Sequence, residues 1–165
     1  MRHSDKRLPA PTLDEPLELA YLAGFLDGEG CINITTQKSR GNLNYRMQIV
    51  LWNTNRAIIE SLAAHWAGGF HAGSKTRTNA TENARPCYLA WWHGQLADEL
   101  LARLEPYVRI KHAQLLNARE FQAVKRRRVG RSTSQALLDE MARHHGDDEA
   151  TYPAHLRLRA AESAG

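Results

Sequence analysis

Residues 17–30 constrain this chain more than any other stretch. Leu17, Ala20, Tyr21, Gly24, Leu26 and Gly28 recur at helical spacing, and Ala20, Gly24 and Gly28 fall four apart, so the helix they predict has one stripe almost without side chains. An interior glycine costs a helix roughly 1 kcal/mol against alanine, and two of them at spacing four need a packing reason. Close approach of a second helix supplies one. Asp27 and Glu29 then sit at the C-terminal end, where the helix dipole disfavours a carboxylate by roughly a few tenths of a kcal/mol. Two readings are open at this point. In the plainer one, a buried amphipathic helix stops at Gly30 as its C′ residue and both acids are solvated. In the other, the bare stripe pairs with a second helix and the badly placed acids mark a metal site.

Charge distribution favours the second reading. The net charge is only +4, but residues 13–30 carry five acids and no base, whereas residues 31–93 carry seven bases against two acids and residues 103–131 nine against two. An acidic helix set in basic surroundings suits the processing of a polyanion, with cations to hold phosphates and acids to hold a divalent metal. The two cysteines, Cys31 and Cys87, form neither a disulfide framework nor a zinc pattern and are expected as small core residues. The eight histidines do not cluster at ligand spacing. No apolar run approaches the roughly 20 residues that span a bilayer, and the polar start has no export signal, so an unexported, cytoplasmic protein is expected, without membrane contact or small-molecule cofactor.

A hydrophobic content of 42% in 165 residues suffices for one domain with a core. Residues 1–12, with Pro9 and Pro11, predict a flexible arm, and Pro16 after Asp14 and Glu15 suits the start of a helix running to about Gly28. Residues 31–37 alternate, with Ile32 and Ile34 on one face and Asn33, Thr35 and Gln37 on the other. Residues 45–52 return as a second strand with Met47, Ile49 and Leu51 inward and Arg46 and Gln48 outward. Asn53-Thr54-Asn55 offers caps for a second helix ending at Gly68-Gly69. Residues 70–77 and 86–93 predict a second hairpin of uncertain register, in which parity leaves open which of the sets Tyr88, Ala90, Trp92 and Cys87, Leu89, Trp91 is buried. Helices follow over 95–104 and 112–125, then a basic run over 125–131, a short helix near 133–142 and a poorly ordered tail over 146–165. The domain spans 13–145 and the class is α+β, an αββαββα order with an antiparallel sheet and helices on one face.

The nonapeptide Leu22-Ala-Gly-Phe-Leu-Asp-Gly-Glu-Gly30 resembles the LAGLIDADG motif of homing endonucleases, matching at Leu22, Ala23, Gly24, Asp27 and Gly30. Asn53-Thr54-Asn55, Gly68-Gly69 and the Pro106-Tyr107-x-x-x-Lys111 pattern resemble further landmarks of that family, so the resemblance reaches from Leu17 to Lys125. It implies the αββαββα fold with a saddle-shaped sheet facing DNA. Because the chain has one motif, it implies a homodimer whose motif helices pack across a two-fold axis through Ala20, Ala23, Gly24, Asp27 and Gly28. The metal site falls on Glu29 with the adjoining Gly28, Glu29 standing where aspartate is more usual, and Asp27 takes a structural role.

The resemblance also implies Lys111 beside the scissile phosphate, with Asn53, or Gln48 behind it, orienting the water. DNA-reading residues are then Asn33, Thr35, Gln37, Lys38, Arg40, Arg46, Gln48, His71, Lys75 and Arg77, on a ribbon suited to the major groove. The basic run over 125–131 would touch backbone phosphates or be a solvated tail. The implied activity is a Mg2+-dependent double-strand cut, with Mn2+ or Ca2+ as substitutes, in a long near-palindromic double-stranded DNA site, across the minor groove with short 3′ overhangs, serving intron or intein mobility. Its rivals are a non-cleaving binder of the same fold, either an RNA maturase or a transcription regulator, and a dimerising α+β protein without a nucleic-acid role.

Overall fold

In a computed structural model, residues 7–39, 42–73, 86–127 and 135–143 are described. The elements run α1 (Glu15–Glu29), β1 (Gly30–Ser39), β2 (Asn42–Asn53), α2 (Arg56–His65), β3 (Gly69–Ala72), β4 (Tyr88–His93), α3 (Gly94–Leu104), α4 (His112–Arg127) and α5 (Gln135–Arg143). The four strands form one antiparallel sheet in the order β1-β2-β4-β3. Hydrophobic patterning explains the layering. Ile32, Met47, Ile49, Leu51, Ala90 and Trp92 point to one side and are buried with residues from all five helices. Asn33, Thr35, Arg46, Gln48, Leu89 and Trp91 point to the other. The parity left open in β4 is settled by that core, which takes Ala90 and Trp92.

Gly30 is not a left-handed cap as the plainer reading had it. It is extended, at φ −100° and ψ 172°, and opens β1 directly. A Cβ there would lie 2.6 Å from the Leu26 side chain and 2.7 Å from that of Leu51, so glycine is needed because strand and helix touch at the turn. A similar reason explains Gly68 and Gly69. The helical end itself is made by Ala67 at φ 55°, with the Gly68 N–H donating to the Ala63 carbonyl. The glycines instead receive two indoles: the Trp92 ring lies over Gly68 on the core side, 2.8 Å from where a Cβ would be, and the Trp91 ring over Gly69 on the outer side, 2.2 Å away. Trp92 is fixed further by donating from Nε1 to the Trp66 carbonyl at 2.8 Å.

Several expectations change. The second half of the N-terminal arm is held: Leu8 packs against the core, and Arg103 donates to the Pro9 carbonyl and pairs with Glu15 at 2.8 Å. The first two bases of the 125–131 run are engaged within the chain, Lys125 with the Tyr45 carbonyl and Arg126, still about half exposed, with Asp98 at 3.0 Å. Cys31 and Cys87 are half-buried, with the Cys31 thiol donating to Asn33 Oδ1 at 2.9 Å. β3 spans Gly69–Ala72, and residues 74–77 of that predicted strand, residues 128–131 and the tail lie outside the described residues.

Candidate functional site

The site is built where α1 ends. Helix α1 has apolar residues on every side, which in a small domain requires cover on every side. Leu19, Leu22, Ala23 and Leu26 provide the inner face and are buried in the chain's own core. Opposite them, Leu17 is 74% and Tyr21 52% exposed, and Ala20, Gly24 and Gly28 are exposed alongside. A Cβ built on Gly24 or Gly28 meets nothing within 4 Å. The bare stripe therefore has no partner among the described residues of this chain. Ala23, expected at the dimer interface, is fully buried and offers no surface to a second copy, because it lies one position round the helix from Gly24.

Asp27 and Glu29, two residues apart, have opposite surroundings. Asp27 accepts three backbone N–H groups from the segment before α4: Oδ2 from Arg109 at 2.9 Å and Ile110 at 3.2 Å, and Oδ1 from Lys111 at 3.0 Å. Burial pushes its pKa upward, but those three donors, with the Lys111 charge, outweigh it and hold the carboxyl below the ordinary 3.8. Lys111 folds back over the helix end, its ammonium donating to the carbonyls of Leu26 at 3.1 Å and of Asp27. Those carbonyls are the negative pole of α1, so the cation offsets the unfavourable placing of two acids there. Glu29 is exposed and has no hydrogen bond or ion pair among the described residues. One acid is thus committed to holding a loop and the other is available. No group of three His, Cys, Asp or Glu side chains able to hold a metal occurs among the described residues, so Glu29 has no such partners there for a cation.

The other predicted residues separate by strand register. Gly30 pairs with Leu51, and Asn53 stands two residues beyond it, at the end of β2 nearest the acids. Its Oδ1 accepts the Asn55 N–H at 2.8 Å, which ties the side chain to a turn before α2. Gln48 lies three residues from Leu51 in the other direction, roughly 10 Å along the strand, between Asn33 and His93 on the outer face. It stands with the reading set and not with the acids. Thr35 and Arg46 share a rung, the Thr35 hydroxyl donating to the Arg46 carbonyl at 3.2 Å. His71 is exposed on the same face in β3. Gln37 and Lys38 continue β1 by backbone pairing, but their side chains, like Arg40, Lys75 and Arg77, lie outside the described residues.

Sequence reasoning missed what Asp27 holds and the Trp52, Leu89 and Trp91 surface of the outer face. The open parity of β4 hid the latter, although Val50 and Trp52 already shared the outward parity of Gln48.

Comparison with known proteins agrees with this geometry. Residues 22–85 match the family model described as LAGLIDADG endonuclease. No curated protein sequence matches the chain. Among solved structures, the homing endonuclease I-CvuI in complex with its target in the presence of calcium is similar over 93% of this chain and 98% of its own, at 18% identity and a TM-score of 0.63. The archaeal intron-encoded homing endonuclease I-Vdi141I complexed with DNA is similar over 91% and 98%, at 14% identity and a TM-score of 0.64. The meganuclease I-SmaMI bound to uncleavable DNA matches over 85% of this chain but only 48% of its own length, at 12% identity and a TM-score of 0.63. With the motif spanning the end of α1 and the αββαββα fold around it, residues 22–85 match the LAGLIDADG endonuclease family, and the chain has the fold of solved homing endonucleases over most of its length.

Proposed function

We propose that the protein is a site-specific DNA endonuclease that works as a homodimer, each copy supplying one Glu29 and one reading face, and that it cuts both strands of a long near-palindromic site. The observation that carries this reading is the division of labour at the end of α1: Asp27 is consumed by three backbone N–H groups, while Glu29 is exposed and, among the described residues, unpaired beside a bare helix stripe. A pure binder has no use for an unpaired carboxylate next to phosphate, which it would repel. Pairing of two α1 helices would cover Leu17, Tyr21 and the glycine stripe and bring two Glu29 side chains to one end of the interface. That this fold covers nearly all of some relatives and about half of others supports a site assembled from two such units.

A free carboxylate on each copy, completed by phosphate and water oxygens, suits Mg2+, with Mn2+ or Ca2+ as substitutes. The backbone carbonyl of exposed Gly28 is the adjoining oxygen. A divalent cation held there would neutralise charge on the scissile phosphate and lower the pKa of a bound water. The chain's own part is to hold and orient. Glu29 would hold the cation, and Asp27 fixes the 109–111 segment. Lys111 spends two of its three N–H donors on α1 carbonyls, leaving one for a phosphate oxygen. The Asn53 amide can donate to water or phosphate. Base edges would be read from the outer sheet face, where Arg46, Gln48 and Asn33 can make bidentate contacts. Such a protein acts where the cell keeps its DNA, and mobility of an intron or intein is the role this activity serves.

The test is incubation with a randomised double-stranded DNA library and Mg2+, with and without EDTA, followed by sequencing of new ends. Double-strand ends within one recurrent, near-palindromic sequence, absent in EDTA, are expected. Retained sequence-specific binding without any cut would favour the non-cleaving regulator.

A further inference from the structure

The outer sheet face is chemically divided, and only one half of it looks like a reader of hydrogen bonds. Asn33, Thr35, Arg46 and Gln48 make up the polar half. Towards the end nearest α1, the same face becomes apolar. Val50 is only 4% exposed although it points away from the core, because neighbouring side chains of that outer face cover it. Val50 pairs with Trp91 and Trp52 with Leu89, and these four form the floor of a shallow groove of about 350 Å³. Its rim is Gln48, His71 and His93. The Trp91 ring lies across the bare Cα of Gly69, so the floor is set in advance by packing. Trp52 is 47% exposed, an unusual cost for a tryptophan on a strand unless something covers it.

What covers it is constrained by charge. None of the residues in the four strands is Asp or Glu, in a chain that has 18 acids. A carboxylate-free sheet that carries Arg46 and two histidines suits a polyanion, and the apolar patch is continuous with the polar half of the same face. In the DNA major groove the one apolar feature that varies with sequence is the 5-methyl group of thymine. We propose that Trp52, Leu89 and Trp91 form a methyl-reading floor, so that each half-site carries thymines where β2 and β4 face the groove. The inference rests on the endonuclease reading and adds what the substrate must contain. Register adds position. Leu51 pairs with both Gly30 and Ala90, so Trp52 and Leu89 lie on the rung next to the end of α1. The methyl-bearing steps therefore lie nearer the cut than the bases facing Thr35 and Arg46.

The experiment alters the DNA first, so that folding plays no part. The site recovered from library selection is made with thymine replaced by uracil, one position at a time, and affinity of the full-length protein is measured by fluorescence anisotropy. Replacement at inner half-site positions should weaken binding about three- to fourfold per methyl, and replacement at outer positions should leave it unchanged. Trp52→Ala, at the exposed position, and Trp91→Ala should each bring the thymine-to-uracil ratio at those positions close to one, and circular dichroism shows whether each variant is folded. Equal affinity for thymine and uracil throughout the half-site would overturn the inference while leaving the endonuclease reading intact. So would an unchanged ratio in both folded variants, or an indifferent ratio combined with Trp52-dependent binding of single-stranded RNA, which would make the floor a base-stacking surface. Failure to recover any DNA site would overturn the endonuclease reading and this inference together.

Discussion

Replacing Asp27 by alanine tests the link on which the site's construction depends. The carboxylate is the acceptor for three consecutive backbone N–H groups at 2.9, 3.2 and 3.0 Å, some 80 residues away in the chain. Bonds to a charged acceptor are worth about 1.5–3 kcal/mol each when shielded from water. Those to Arg109 and Ile110 are exposed and only that to Lys111 is part-buried. After discounting for water that can replace the acceptor, the sum is about 2 kcal/mol. In urea denaturation, with a slope of about 2 kcal/mol/M for a chain of this size, the midpoint should fall by about 1 M. Acidity supplies a second, independent signature. The folded carboxyl titrates below its ordinary 3.8, so its stabilisation is fully present above that value and is lost as the pH falls through the lower folded pKa. The gap between wild type and Asp27→Ala should therefore be wide at pH 6 and shrink at pH 3. A midpoint shift below about 0.2 M, or a gap of constant size from pH 6 to pH 3, would refute the view that Asp27 holds the Lys111 segment to α1.

The remaining predictions concern glycines whose roles differ. Gly24→Ala and Gly28→Ala put a methyl into open space in the single chain, so an isolated fold gains roughly 1 kcal/mol of helix propensity from each. Across a close helix pair the same methyl separates the backbones, and sedimentation equilibrium should show dissociation at concentrations where the wild type is dimeric. A stabilised protein with unchanged association would count against the pairing. Gly69→Ala drives a Cβ into the Trp91 indole and should cost about 1–3 kcal/mol in thermal or urea unfolding, with a change in tryptophan fluorescence. A neutral result would mean that Trp91 does not lie over that backbone.

Much of the fold was readable because its signals are periodic and local. Alternation in β1 and β2, the Asn55 cap that accepts from Ile58, and Pro106 after α3 each carry their own structural instruction. The family motif pointed to the end of α1, where the candidate site lies. What stayed hidden depends on tertiary neighbours. Gly30, Gly68 and Gly69 read as helix stops, yet they are spaces for Leu26, Trp92 and Trp91 that only the packed sheet reveals. Ala23 and Gly24 are adjacent in sequence but lie about 100° apart around α1, one in the core and one bare. Lys125 and Arg126 look like a phosphate clamp, because a charge run does not show that Asp98 and the Tyr45 carbonyl await it. The division of Asp27 from Glu29 was implied by family resemblance alone. Its physical reason, three N–H donors converging on one carboxylate and, among the described residues, none on the other, is a property of the fold.

The central claim, that two copies each supply one Glu29 to cut one strand, is tested most directly by mixing. Wild-type protein and Glu29→Gln are unfolded together, refolded in equal amounts and incubated with Mg2+ and a supercoiled plasmid carrying the selected site. Wild type alone should give linear plasmid, Glu29→Gln alone should bind without cutting, and the mixture should accumulate nicked circles from dimers holding one carboxylate. Linear product reduced in proportion to the wild-type content, with no nicked circles, would contradict the claim.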